Sequence, residues 1–297
     1  MRIGLLQVAL AGVLWGTGGL VVQLIRRDDP ISPLVLSSER MLIGTVAMLV
    51  VLALGRTLGD LRELWRRHPV AVWVVGGSTG AYQALYFVAV TQVGVAVSTM
   101  VSLGIAPVLL ASLESVRRRA LPSRPMLVTL VVALAGLALV CLTGSDSAGP
   151  HPVLGVVLSI VSGTTYAITT AVGQRIAGGV RPTVLATGST LAGAVVLAPL
   201  LLVGLGDSPV WPTSAGVAAW LLYLGVATMG LAYLALYAGL RTVPAAIATL
   251  ASLLEPVTAA FLAALVLDER LTALGIVGCV LVLAAVAGLA VEEPPGL

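Results

Sequence analysis

Long apolar segments alternate with short polar connections along the whole chain. Each segment has about 20 residues, enough at 1.5 Å per residue of α-helix to cross about 30 Å of hydrocarbon. No long polar insertion interrupts the pattern, so helices and short turns must supply every functional group. The pattern predicts ten membrane-spanning helices, at 4–25, 33–54, 70–91, 94–113, 125–143, 153–174, 183–203, 215–239, 244–267 and 271–291.

The second half of the chain repeats features of the first half. Pro107 and Pro256 each lie inside an apolar segment behind a run of small residues, and Pro33 and Pro182 open matching segments. Because a unit of five helices is odd, consecutive units enter the membrane from opposite faces. We therefore predict an all-α membrane protein with ten transmembrane helices in two inverted five-helix repeats. The predicted units are 1–145 and 150–291, with a short cytoplasmic tail at 292–297.

The arginines predict the orientation in the membrane, because cytoplasmic connections carry an excess of basic residues. With the N-terminus inside, twelve of the sixteen basic residues fall on the cytoplasmic side and Arg26, Arg27 and Arg270 on the other, which leaves Arg40 inside the second span. Both termini are therefore expected in the cytoplasm, with the chain in a bacterial inner membrane. The first apolar run is longer than a signal-peptide core, so we interpret it as a retained helix.

Composition excludes several functional classes. Hydrophobic residues make up 59% of the chain and charged residues 10%, whereas soluble domains have about 45–50% and about 25%. The net charge of +3 comes without a basic patch suited to nucleic acid. Cys141 and Cys279 lie in apolar runs, and His68 and His151 have no partner at ligand spacing. We expect no disulfide framework, no metal site, no cofactor and no enzyme.

Charged residues occur inside two predicted helices, where each costs at least about 2.5 kcal/mol on insertion scales. Glu39 and Arg40 are adjacent, so their side chains point about 100° apart. Arg40 either extends its charge to the membrane surface or anchors helix packing against backbone carbonyls. Alternatively, the two residues form a gate ion pair or an anchor for a substrate carboxylate. Glu255 is either a structural carboxylate or a coupling site that exchanges protons. Pro256 beside it, and Pro107 in the first half, are expected to kink their helices.

Aromatic side chains with polar tips recur near the middle of both halves. Tyr82 and Tyr86 are one helical turn apart with Gln83 beside them, and Tyr233 and Tyr237 have the same spacing. These groups either pack locally through hydrogen bonds or line a central cavity for a small, partly apolar metabolite. The predicted substrate-binding residues are Trp15, Thr17, Tyr82, Gln83, Tyr86, Tyr166, Tyr233 and Tyr237.

Several motifs stand together over the length of the chain. They are the run Gly12-Val13-Leu14-Trp15-Gly16, then Arg40, then Leu254-Glu255-Pro256-Val257 with Asp268-Glu269-Arg270-Leu271-Thr272 downstream. In this combination the sequence resembles the EamA family of the drug/metabolite transporter superfamily. The first half departs from the family pattern, because Ala106-Pro107 replaces Glu-Pro. The resemblance implies two inverted repeats around a central cavity, and export or facilitated movement of amino acids, other metabolites or toxic compounds.

We expect a transporter that moves amino acids or related amphipathic compounds, outward and by alternating access. The lipid bilayer and a small-molecule substrate are its expected partners, protons are a candidate coupling ion, and no nucleic acid is expected. Substrate identity, coupling and oligomeric state are open. The alternative is a membrane scaffold or assembly protein without transport activity. A membrane-embedded enzyme is disfavoured, because the sequence offers no catalytic set.

Overall fold

The computed structural model describes residues 1–29, 31–142, 150–204, 212–266 and 272–291, and within these ranges there are helices and short connections but no strand. The helices are α1 (Arg2–Asp28), α2 (Pro33–Leu54), α3 (Leu58–Arg67), α4 (Pro69–Val93), α5 (Val95–Arg118), α6 (Arg124–Leu142), α7 (Pro152–Ala177), α8 (Pro182–Gly204), α9 (Ala215–Tyr223), a π-helix (Leu224–Leu231), α10 (Ala232–Gly239), α11 (Ala245–Ala251), α12 (Leu254–Val266) and α13 (Ala273–Val291).

Eight helical stretches are long and apolar enough to cross a membrane, and they coincide with eight of the ten predicted spans. The other two predicted spans are helical as well. They correspond to α4, which is 25 residues long but carries several polar side chains, and to α13, which is apolar but short. The prediction of an all-α membrane protein is confirmed. The count of ten spans stays a prediction.

Contacts between helix ends show that consecutive long helices run in alternate directions. We call the side on which α1 begins the near side and the opposite side the far side. On the near side, Gly4 of α1 approaches Gly239 at the end of α10. On the far side, the His151 N–H before α7 donates to Gln92 O in α4 at 3.2 Å, and Thr213 N–H donates to the buried Asp29 carboxylate at 3.0 Å.

The short helix α3 lies on the near side, in a stretch that hydropathy had assigned to a connection. Leu61 and Leu64 are buried against α8 and neighbouring apolar residues, while the polar face is exposed. On that face, hydrogen bonds from Arg66 and then Arg67 lower the pKa of Glu63 to about 2. Glu63 therefore stays charged at any physiological pH. Its ion pairs are exposed to solvent and contribute little to stability.

The second half contains helix interruptions that the first half lacks. A π-helix separates α9 from α10. The predicted ninth span is broken into α11 and α12 at Ser252 and Leu253, three residues before Pro256. By contrast, α5 continues through Pro107 as a single helix. The kink predicted at Pro107 remains a prediction, whereas next to Pro256 the chain has a discontinuous helix.

The helix α5 and the broken helix α11–α12 are in contact on the near side. Ala106 and Leu110 of α5 share a buried cluster with Ala245 of α11 and with Tyr166 of α7. On the far side α12 packs against α1, α6 and α13, and it has no substantial contact with α5 among the described residues. Among the described residues, α5 therefore meets the broken helix on the near side and has no substantial contact with its far-side part.

Candidate functional site

Arg40 meets Gln83 in the interior of the bundle. Arg40 Nε and one terminal nitrogen donate to Gln83 Oε1 at 3.1 and 2.5 Å, and Gln83 is buried. The amide nitrogen of Gln83 in turn lies 3.9 Å from the sulfur of Met229 in the π-helix. Among the described residues, no carboxylate lies within 4 Å of the guanidinium. Arg40 thus holds a positive charge inside the protein with a neutral amide as its partner.

Glu39 does not pair with Arg40. One of its carboxyl oxygens is withdrawn from solvent and has no hydrogen-bond partner in the part of the chain that the structure describes. Adjacent helical positions point about 100° apart, as the sequence indicates. The side chains of Glu39 and Arg40 are therefore not paired in this conformation. Their predicted role as a gate stays a prediction.

The predicted aromatic residues form one continuous group, which we call the aromatic cluster. Trp15 meets Tyr233 and Tyr166 edge-on, with ring centroids 5.4 and 6.3 Å apart. Tyr82 lies 5.4 Å from Tyr166 and stacks on Tyr86 at 6.1 Å. Edge-on and offset contacts at these distances are favourable beyond the area that they bury. The members are Trp15, Tyr82, Tyr86, Tyr166, Tyr233 and Tyr237, of which Tyr237 is fully buried at the near-side end.

Hydrogen bonds fix three of the six polar tips of this cluster. The Trp15 indole N–H donates to Thr228 O, a carbonyl of the π-helix, at 2.9 Å. The Tyr166 hydroxyl donates to Ser252 Oγ at 2.9 Å, at the break between α11 and α12. The hydroxyls of Tyr86 and Thr99 are 2.7 Å apart. The rings are therefore held by partners on three other helical segments.

Thr17, the remaining predicted binding residue, lies on the far side of Trp15 in α1. Its hydroxyl is 2.8 Å from the Tyr223 hydroxyl at the end of α9, and it also donates to Leu14 O. This bond ties α1 to α9. Thr17 therefore borders the cluster without making a ring contact to it.

Glu255 lies in the first turn of α12, directly after the helix break. Its N–H donates to Ser252 O at 2.9 Å, and its side chain is half-buried. Among the described residues, Glu255 and Arg40 do not form an ion pair. An interior carboxylate at the start of a half-helix, opposite an uncompensated guanidinium, can bind groups of both charge signs.

Sequence reasoning missed several partners of the predicted residues: Thr99, Tyr223, Thr228 and Ser252. The hydroxyl of Ser252 could have been predicted as a partner, because it lies four residues before Pro256. A helix break leaves backbone groups unpaired, and polar side chains beside it commonly take part in hydrogen bonds. The carbonyl of Thr228 gave no signal, because nothing in the composition of that segment distinguishes a π-helix from an α-helix.

Two surface recesses lie away from the aromatic cluster. One of about 840 Å³ opens on the near side, between the start of α1, the end of α10 and the connection between α7 and α8. Another of about 700 Å³ surrounds the start of α7 on the far side. No residue of the aromatic cluster lines either one. No cluster of His, Cys, Asp or Glu suited to a metal occurs in the described residues.

Two stretches of the chain, 2–142 and 153–291, match the EamA-like transporter family. The chain belongs to that family. The resemblance read from the sequence is confirmed, and so is its consequence that this EamA-like protein is a multi-pass membrane protein. Both matches together span nearly the whole chain, one in each half.

Individual relatives agree with this assignment. The EamA-like chain is 30% identical over 197 residues to an uncharacterized transporter, YwfM, of Bacillus subtilis (strain 168). That alignment covers 66% of this chain and 64% of the relative, so the chain spans slightly less than two thirds of that protein. A solved crystal structure superimposes with a TM-score of 0.80 at 21% identity, over 96% of this chain and 95% of the other. This second likeness shows the fold alone.

Proposed function

We propose that this EamA-like protein carries amino acids or related amphipathic metabolites outward across a bacterial inner membrane by alternating access. The observation that supports the proposal is the convergence of Arg40, Glu255 and the aromatic cluster at one place inside the bundle. Each intramembrane charge is costly, and such charges commonly mark substrate or ion pathways.

The chemistry of the site favours a small solute with an apolar body and charged ends. A guanidinium suits a carboxylate, which it binds through paired N–H donors. The carboxylate of Glu255 suits an ammonium group, and the faces of Trp15 and Tyr82 suit an apolar or cationic body. Amino acids with apolar side chains carry all of these features.

The orientation of the protein in the membrane is inferred from the charge distribution. Exposed arginines are frequent on the near side, for example Arg62, Arg117 and Arg241, which favours the cytoplasm for that side. The termini would then be cytoplasmic, and the separation of α5 from α12 would face outward. In this account the two halves are inverted repeats, and their relative movement closes one side while it opens the other.

Flux through purified protein in liposomes tests the proposal. The vesicles would be loaded with radiolabelled amino acids or with amphipathic cations, and release would be followed with and without a pH gradient. We expect solute to be released faster than from protein-free vesicles. The release should be saturable and specific to one solute class. If none of these solutes moves under either condition, the transporter proposal fails.

Variants at the site separate a carrier from a scaffold. Replacing Tyr82, Gln83 and Glu255 together with alanine should abolish flux while the protein still inserts and purifies as a folded species. The host phenotype should be lost along with flux. A phenotype that persists in this variant would contradict transport as the function and favour the scaffold.

If transport is coupled to protons through Glu255, the Glu255→Gln variant should lose pH-driven flux. Glu255→Gln keeps the size and a hydrogen-bonding group but cannot release a proton. If Glu255 carries the proton, flux driven by a pH gradient should fall to the level measured without the gradient, while exchange of solute across equal pH continues. The measurement is flux in liposomes at several imposed gradients. Full pH-driven flux in Glu255→Gln would rule out this role.

A further inference from the structure

A single glutamine side chain connects α7 to the segment between α10 and α11 on the near side. Gln174 Nε2 donates to Val243 O at 3.1 Å, and Gln174 Oε1 accepts from Ala245 N–H at 3.2 Å. Pro244 lies between these two partners and has no N–H of its own. The side chain therefore pairs with the backbone on both sides of the proline, much as a neighbouring strand would.

The backbone groups that Gln174 binds need such a partner. Ala245 is the first residue of α11, and the first N–H groups of a helix have no partner within it. Val243 is 1% exposed and Ala245 is 7% exposed, so water does not readily replace the glutamine. Loss of the amide would leave two buried backbone groups unpaired, which is costly.

The two hydrogen bonds of Gln174 lie beside the near-side contact between α5 and α11. Ala245 packs in the same cluster as Ala106 and Leu110 of α5, and the ring of Tyr237 lies close to Gly173, next to Gln174. Opening the near side requires α11 to leave α7 and α5. The two hydrogen bonds of Gln174 would have to break in that movement.

The first half of the chain has a different residue at the position equivalent to Gln174. The positions 149 residues earlier are Ile25 in α1 and Gly94 and Ala96 at the start of α5. Ile25 is fully buried against α2 and α9 and has no polar group to offer. Among the described residues α1 and α5 have no substantial contact, whereas α7 packs against α11. The side-chain bridge that Gln174 forms therefore has no counterpart at Ile25.

We propose that Gln174 is the latch that keeps the near side closed, because it holds α7 to the start of α11. This inference rests on the proposed alternating access, because a latch matters only if the near side opens. Gln174 acts through the backbone of Val243 and Ala245 and is a positioning residue, not a substrate ligand.

Two matched cysteine reporters test the latch. Ala245→Cys lies on the closed side, and Ala96→Cys occupies the equivalent, half-exposed position on the other side. Each is placed in a chain carrying Cys141→Ala and Cys279→Ala. Reaction with a water-soluble maleimide is timed in nanodiscs, where both membrane faces meet solvent. This readout needs no knowledge of the substrate.

The test variant is Gln174→Met, which keeps the length of the side chain and removes both hydrogen bonds. It should raise the labelling rate of Ala245→Cys about tenfold, which corresponds to about 1.4 kcal/mol in the closing equilibrium. Ala96→Cys should react at the same rate or more slowly. Gln174→Glu, which keeps the acceptor but not the donor, should have an intermediate effect. Gln92→Met, the same change at the far end of α4, should leave Ala245→Cys unchanged.

An unchanged Ala245→Cys rate in both Gln174 variants would overturn the latch. A parallel rise of both reporters would also overturn it, because general loosening exposes both sides. The latch and the proposed transport function can fail separately. If solute flux is measured but the Gln174 variants leave the labelling rate of Ala245→Cys unchanged, only the latch is wrong. A reporter shift without flux of any solute defeats the transport proposal and leaves the latch standing.

Discussion

Replacing Arg40 with methionine should lower solute flux at low concentration by about 10- to 100-fold. This range corresponds to about 1.5–3 kcal/mol, the usual loss when a hydrogen bond to a charged group is removed. Arg40 is the interior cation of the site, and a neutral amide rather than a carboxylate is its partner. The solute should therefore lose its anchor. We expect the loss in flux to appear mainly as a higher half-saturating concentration.

Two controls make the Arg40 result specific. Arg175→Met makes the same change at the exposed near-side end of α7 and should keep full flux. Arg40→Lys keeps the charge but loses the planar pair of donors, so its flux should lie between Arg40→Met and the unaltered protein. If Arg40→Met purifies as a less stable protein with unchanged half-saturation, then Arg40 is a structural anchor and not a substrate ligand.

Replacing Gly16 with alanine should destabilise the bundle by about 1–3 kcal/mol, the typical cost of forcing a methyl group into a filled space. A Cβ at Gly16 would lie 2.5 Å from Glu255 O and 2.6 Å from Thr258 Cβ. Because the first of these atoms is backbone, α1 and α12 would have to move apart. That movement would also shift Trp15 relative to Glu255, so flux should fall together with thermal stability.

Gly19 supplies the matched control on the same helix. A Cβ there would meet only Ala259 Cβ, at 4.0 Å. Gly19→Ala should therefore keep the melting temperature or raise it slightly, since alanine favours the helix. Thermal unfolding in detergent, followed by fluorescence, distinguishes the two. Equal melting temperatures for Gly16→Ala and Gly19→Ala would contradict the close approach of α1 to α12.

Much of the fold was predictable because lipid imposes a simple pattern on the sequence. A spanning helix needs an apolar run of fixed length, so hydropathy located the long helices within a few residues. The same criterion missed α3, because its ten residues alternate leucines with charged side chains. Such a helix is stabilised by packing of Leu61 and Leu64 against α8 and not by its own hydropathy.

The candidate site was predictable where one helix determines the geometry. Tyr82 and Tyr86 share a helical face by spacing, and the structure places their rings in contact. The pairing of Arg40 with Gln83 depends on the rotation of α2 relative to α4, which spacing cannot reveal. The bond from Trp15 to Thr228 O depends on a π-helix, in which the hydrogen-bond register shifts without a change in composition.

The fluorescence of Trp15 tests most directly whether the aromatic cluster receives the solute. Trp15 would be the sole tryptophan in a chain with Trp65, Trp73, Trp211 and Trp220 replaced by phenylalanine. A solute that the protein transports should change the Trp15 emission, saturating at the concentration that half-saturates flux, and Arg40→Met should shift both curves together. Saturable flux without any change in Trp15 emission would contradict this account.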